Sequence, residues 1–300
     1  MSNKEKIVEV LHLVEGKNDR PMTTRSTDGT SHETHLTFYR DILKSVRGIM
    51  AERFGLRGIS IRSIHVGVSR LSNPIKITGL NKRGKKIRYF GKILGNSDLL
   101  TDRSIQLLKN VYLQIHGQQP LFGIFETTEE MAREQFERLQ AIHLKGIPTA
   151  RPYGYYWLKG PSWLLVTEFL DAKPVSSFGQ IDPNVVDTVF RYLHRMHRKK
   201  IFHGDLKPDN IMVGDKIYIL VVGHLRKDVS NKLKQAYDLA CLLCCFLEFC
   251  PIEDILKVAQ KYYSHRSLEA AAEYIELVQM RPDIHFNDET KKTLLQSLTG

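Results

Sequence analysis

The stretch His203-Gly204-Asp205-Leu206-Lys207-Pro208-Asp209-Asn210 runs into the apolar Ile211-Met212-Val213, and it holds the densest chemistry in the chain. Asp205 precedes Asn210 by five positions. In a loop that turns back on itself, such a pair presents a carboxylate base to a hydroxyl while an amide oxygen is returned to the same place. Pro208 stiffens the return, and Lys207 puts a cation where anionic charge would develop. The set suits transfer of a phosphoryl group to an alcohol, with Asp205, Lys207 and Asn210 as the catalytic candidates and Asn210 as a neutral oxygen ligand for a metal.

These residues need a scaffold. Residues 1–35 are polar and turn-rich from Gly16 onward, and residues 36–54 space their apolar side chains at three and four, which predicts an amphipathic helix. Alternating or short apolar runs at 59–66, 75–78 and 87–94 predict a small antiparallel sheet, with Asn81-Lys82-Arg83-Gly84 as a turn. Helical patterns return at 102–116 and 129–144. Two strands, 153–158 and 162–168, flank Gly160-Pro161, and the chain beyond Asp171 reads as mostly helical. Strands first and helices later predict an α+β chain with two lobes joined near residues 168–172.

On these residues the chain resembles the protein-kinase-like superfamily, over roughly residues 59–250. The resemblance implies a bilobal protein-kinase-like fold: an arm and helix over 1–58, a β-rich lobe over 59–169 and a helical lobe over 170–300. It implies ATP as phosphoryl donor and Mg²⁺ as its metal. Lys92, in the third strand, takes the place of the lysine that clamps the phosphates. Glu134 would be its partner, with Glu130 and Glu137 as neighbouring alternatives. Glu168-Phe169-Leu170 resembles the hinge whose backbone holds the adenine, and Asp238 resembles the aspartate that braces the catalytic loop from beneath.

Two positions depart from that pattern. The phosphate loop reads Gly67-Val68-Ser69-Arg70-Leu71-Ser72-Asn73, with one glycine, so Ser69, Ser72 and Arg70 become the candidate side-chain donors to phosphate. About a dozen residues after Asn210, where the family carries the principal metal-binding aspartate, the chain has Val221 in Leu220-Val221-Val222-Gly223. A valine offers no oxygen to a hard cation, so the metal site is expected to be impaired. The alternative reading is therefore a pseudokinase that binds nucleotide or partners without turnover.

Fifteen positions separate Gly223 from Asp238 and no Ala-Pro-Glu follows, which leaves no room for an activation segment. The compact form resembles RIO kinases, aminoglycoside phosphotransferases and, most of all, the lipopolysaccharide Kdo/heptose kinases. Those branches imply a hydroxyl acceptor on a sugar, a glycolipid or a protein.

Composition narrows the class further. The 300 residues carry 44 Lys and Arg against 33 Asp and Glu, a net charge of +11, which favours anionic partners. Basic runs at 82–88 and 191–200 make an anionic membrane surface a candidate contact. Nucleic acid is disfavoured, because no aromatics interleave these charges. The longest apolar run, 239–247, is half the ~20 residues of a membrane span, and the N-terminus lacks a signal-peptide core, so the cytoplasm is the expected compartment. Cys241, Cys244, Cys245 and Cys250 lie in an apolar helical pattern and are expected as buried thiols.

Overall fold

The computed structural model describes residues 29–64, 73–220 and 223–300. Helix α1 spans Gly29–Phe54, so it begins well before the apolar spacing at residue 36 would start it. From its C-terminal half, Ile42, Val46 and Met50 enter a cluster with Ile75, Ile77, Ile93, Leu164 and Val166. Those partners belong to a five-stranded antiparallel sheet of β1 (Arg57–Ser63), β2 (Asn73–Leu80), β3 (Lys86–Leu94), β4 (Pro152–Lys159) and β5 (Ser162–Glu168). The strands lie in the order β1-β2-β3-β5-β4.

The β2–β3 turn forms as its residue types demand. Asn81 Oδ1 accepts from the backbone N–H of Arg83 and Lys85, each at 3.0 Å, and Gly84 takes the left-handed φ of 73°. Lys92 on β3 pairs with Leu165 on β5, and Tyr89 pairs with Glu168. The register thus places the lysine and the end of β5 on neighbouring strands.

Between β3 and β4 run α2 (Asn96–Ile115) and α3 (Thr128–Leu144). Thr127 caps α3 by accepting from the N–H of Glu130. Helix α2 starts at Asn96, six residues before the expected 102. Its Ile105, Tyr112 and Leu113 are buried with residues of the helical lobe, among them Phe190, Leu206, Tyr237 and Ile275.

After β5 come α4 (Pro183–Arg198), α5 (Asn231–Cys245), α6 (Ile252–Tyr262), α7 (His265–Gln279) and α8 (Asp288–Thr299). A short sheet, β6 (Lys173–Pro174), β7 (Ile211–Val213) and β8 (Ile217–Ile219), carries the polypeptide away from residues 203–210. Strands of two or three residues show too little alternation to be read beforehand, apart from the apolar exit at β7. Cys241, Cys244 and Cys245 are free thiols buried in the core of α5, as expected, and Cys250 is partly exposed. The architecture is of the expected α+β class, a small antiparallel sheet in the N-terminal region followed by a mostly helical part.

Candidate active site

Residues 203–210 are pinned from below. Asp238, fully buried on α5, accepts the N–H of His203 at 2.7 Å on Oδ2 and the N–H of Gly204 at 2.6 Å on Oδ1. His197 Nε2 lies 3.2 Å from the same carboxylate. Gly204 holds φ at 77°, a conformation that an L side chain rarely adopts. A carbonyl can only accept, so His203 Nε2 donates to Leu220 O at 2.8 Å and its Nδ1 accepts from the Asp205 N–H at 3.2 Å. Burial lowers the His203 pKa, which agrees with a neutral ring.

The five-residue spacing closes the loop as the sequence implied. Asn210 Nδ2 donates to the Asp205 backbone oxygen at 2.7 Å and to its Oδ2 at 3.1 Å. Asp209 is a buried neighbour whose carboxylate accepts from Ser176 Oγ. The Asp205 side chain is 27% exposed, so a substrate can reach it.

A cavity of about 330 Å³ opens beside this loop. Its apolar lining includes Ala150, Leu165 and Met212; its polar lining includes Lys92, Asp205, Lys207 and Asn210. Glu168, Phe169 and Leu170, the expected hinge, line it too. Glu168 spends its own N–H on Arg151 O at 2.8 Å within the lobe. Lys76 and Arg88 lie over the Phe169 ring, 4.4 and 5.3 Å from its centre. Ser69, Arg70, Ser72 and Val221 lie outside the described residues.

The expected pairing of Lys92 with Glu134 is not what the helix delivers. Lys92 Nζ donates to Gln135 Oε1 at 3.3 Å, and Gln135, not Glu134, lines the cavity. One helical position is a rotation of about 100°. That rotation turns Glu134 toward Arg138 at 3.3 Å and Lys227 at 3.2 Å. Neither Glu130 nor Glu137 lines the cavity either. Two carboxylates near Lys92 come from α2, where Asp98 and Asp102, four apart, line the cavity with Gln106. Burial lowers the Lys92 pKa, against the pull of Asp98, Asp205 and Asp102. Burial also lifts Asp98 to about 6, although its Oδ2 accepts from the Gly95 N–H at 2.7 Å.

The turn between α7 and α8 supplies two residues that the sequence reading passed over. Arg281 Nη2 donates to Asp205 Oδ1 at 2.8 Å, and Asp283 Oδ2 lies 2.8 Å from Lys207 Nζ. Arg281 and Asp283 also pair with each other, Nε to Oδ1 at 3.0 Å and Nη2 to Oδ2 at 3.1 Å. Burial would raise the pKa of Asp205, but the Arg281 and Lys207 cations outweigh it and hold the carboxyl below its usual range. For Lys207 burial pulls down, and Asp283 and Asp205 more than offset it.

The donor set suits a divalent ion poorly. The Asn210 amide nitrogen is spent on Asp205, which leaves its oxygen for a cation. No cluster of three His, Cys, Asp or Glu fit to hold a metal occurs among the described residues.

No protein-family model matches the chain, and no curated protein sequence matches it. Among the solved structures similar to it is one described as "Putative fructosamine-3-kinase" from Haemophilus somnus 129PT. It is 12% identical, spans 88% of this chain and 100% of its own, and has a TM-score of 0.48. A likeness at that level says nothing of activity or substrate. The described residues themselves show the α+β class expected from the sequence, a five-stranded antiparallel sheet in the order β1-β2-β3-β5-β4 followed by a mostly helical part.

Proposed function

We propose that the chain is an ATP-dependent phosphotransferase of the compact, atypical kinase-like type, acting on a hydroxyl of a sugar, a glycolipid or a protein. The observation that carries this reading is the closure of Asn210 onto Asp205 at the wall of a cavity that also holds Lys92 and the residues after β5. Asp205 accepts the hydroxyl proton as the acceptor oxygen bonds to the γ-phosphorus and the bridging oxygen leaves with ADP. Lys92 and Lys207 offset the phosphate charge. The backbone around residues 168–170 meets the adenine, and the apolar lining covers its faces. No step is assigned to a metal, because the donor set does not fit one.

Val221 favours a second reading, a nucleotide-binding pseudokinase. Both readings require ATP in the cleft, and only the first requires phosphate to leave it. The deciding experiment is a thermal shift with ATP, with and without Mg²⁺, followed by assay of phosphate release. ATP at a hundred times its Kd should raise the unfolding midpoint by several degrees, since such saturation adds ~2.7 kcal/mol. A shift with phosphate release supports the enzyme, a shift with no release supports the pseudokinase, and no shift overturns both.

No helix among the described residues is long and apolar enough to cross a membrane. The basic runs at 82–88 and 191–200 remain the proposed contact with an anionic membrane face, with the cytoplasm as the proposed setting.

A further inference from the structure

We infer that Arg281, seated by Asp283, is the positioning residue of the phosphotransfer centre: it fixes the carboxylate of Asp205 and, through Asp283, the ammonium of Lys207. This inference rests on the reading of Asp205 as the base.

Arg281 and Asp283 both line the cavity, but each guanidinium nitrogen is already directed at a protein group. Nε and Nη2 donate to Asp283, Nη2 also donates to Asp205, and Nη1 points at Cys241 Sγ, 3.7 Å away. Only 5% of the side chain is exposed. A cation so enclosed acts through the groups it holds. Its planar fork spans two carboxylates at once, which the point charge of a lysine cannot copy.

The turn that delivers it is itself fixed. Met280 and Ile284 are buried in the helical core on either side of Arg281 and Asp283. The Arg281 N–H donates to Val278 O at 3.0 Å. Gln279 Nε2 reaches across to Phe286 O at 3.4 Å and to Asp288 Oδ1 at 3.1 Å. Four charges therefore close a circuit: Asp205 to Arg281, Arg281 to Asp283, Asp283 to Lys207, with Lys207 two positions after Asp205. Asp205 keeps lone pairs for a hydroxyl proton, because each carboxylate oxygen accepts more than one bond. Asn210 constrains Oδ2 and Arg281 constrains Oδ1, so the carboxylate plane is set from both sides.

The test compares R281K, R281M and D283N in the full chain, with ATP and water or an identified alcohol as acceptor. Displacing a reacting group by about 1 Å costs ~100-fold. R281M should therefore lower kcat about 100-fold and leave KM for ATP within about threefold, with R281K recovering part of the loss. R281M removes a buried charge, so R281K and D283N carry the comparison if it fails to fold. Equal kcat in R281K and wild type, or a loss confined to KM, overturns the inference. If the wild-type chain binds ATP but releases no phosphate, the phosphotransferase reading fails by itself. Amide hydrogen exchange then decides: faster exchange at 205–210 in R281K and D283N, with α5 unchanged, sustains the positioning role, and unchanged exchange at 205–210 overturns it.

Discussion

Asp238 receives two consecutive backbone N–H groups, those of His203 and Gly204, on its two different oxygens. One buried carboxylate thereby sets the entry to the loop of residues 203–210. Asp238→Asn would turn an NH2 group toward one of those donors and leave it unpaired. The expected loss is ~2–4 kcal/mol of folding stability, measured by denaturant unfolding. A loss below about 0.5 kcal/mol would contradict the bracing role.

Lys92 and Gln135 face the cavity, and Glu134 does not. Lys92→Met should weaken ATP binding about tenfold or more, and Gln135→Leu by a smaller factor. Glu134→Gln should leave the affinity within about threefold. Isothermal titration with ATP checks the order, and the reverse order would restore Glu134 as the lysine's working partner.

Asp98 ionises at about 6 in the folded chain, above its ordinary 3.8. A carboxyl whose folded pKa is raised favours folding while it is protonated. Its contribution is complete below about 4 and is lost as pH rises through about 6. Asp98→Asn should therefore stabilise the protein at pH 7–8, by ~1–2 kcal/mol after allowance for solvent, and change little near pH 4. Melting temperatures of both proteins across pH 4–8 test this, and a gain that does not grow with pH refutes it.

Val221 supplies no oxygen where the kinase-like pattern has its metal-binding aspartate. ATP binding should consequently depend little on Mg²⁺ in this chain, whereas Val221→Asp should make both affinity and phosphate release metal-dependent. Metal stabilisation of the phosphoryl group is worth several kcal/mol, so release should rise at least a hundredfold. An inert Val221→Asp protein with intact ATP binding would favour the pseudokinase.

Gly223 and Gly204 meet back to back. A Cβ on Gly223 would lie 2.5 Å from the Gly204 carbonyl oxygen, and the Gly223 N–H donates to His203 O at 2.8 Å. Gly223→Ala must push the loop away from Asp238. We expect a lower melting temperature together with loss of phosphate release, and an alanine variant with wild-type melting would refute the contact.

What could be read from the sequence was what is local. Asp205 and Asn210 belong to one tight loop, so their spacing already encodes their contact. The β2–β3 turn was legible because Asn81 and Gly84 form it with their own atoms. Glu134 and Gln135 were not separable, since α3 buries Met131, Ala132 and Glu134 in succession and its apolar pattern does not say which face meets the cavity. Asp98 and Asp102 were hidden for another reason: the apolar spacing of α2 becomes clear only after 102, although 98, 102 and 106 do follow a helical step of four. Arg281 and Asp283 offered only a polar turn between apolar Met280 and Ile284, and no periodicity marks a contact across 76 residues.

That separation has a consequence during synthesis. Asp205 leaves the ribosome 76 residues ahead of its guanidinium partner, which at ~5–20 residues per second is about 4–15 s. Through that interval Asp205 has Asn210 but neither Arg281 nor Asp283 to hold it and Lys207. The cavity walls from residues 64–224 are thus made first, and the Asp205 carboxylate gains its guanidinium partner last, when the turn before α8 arrives.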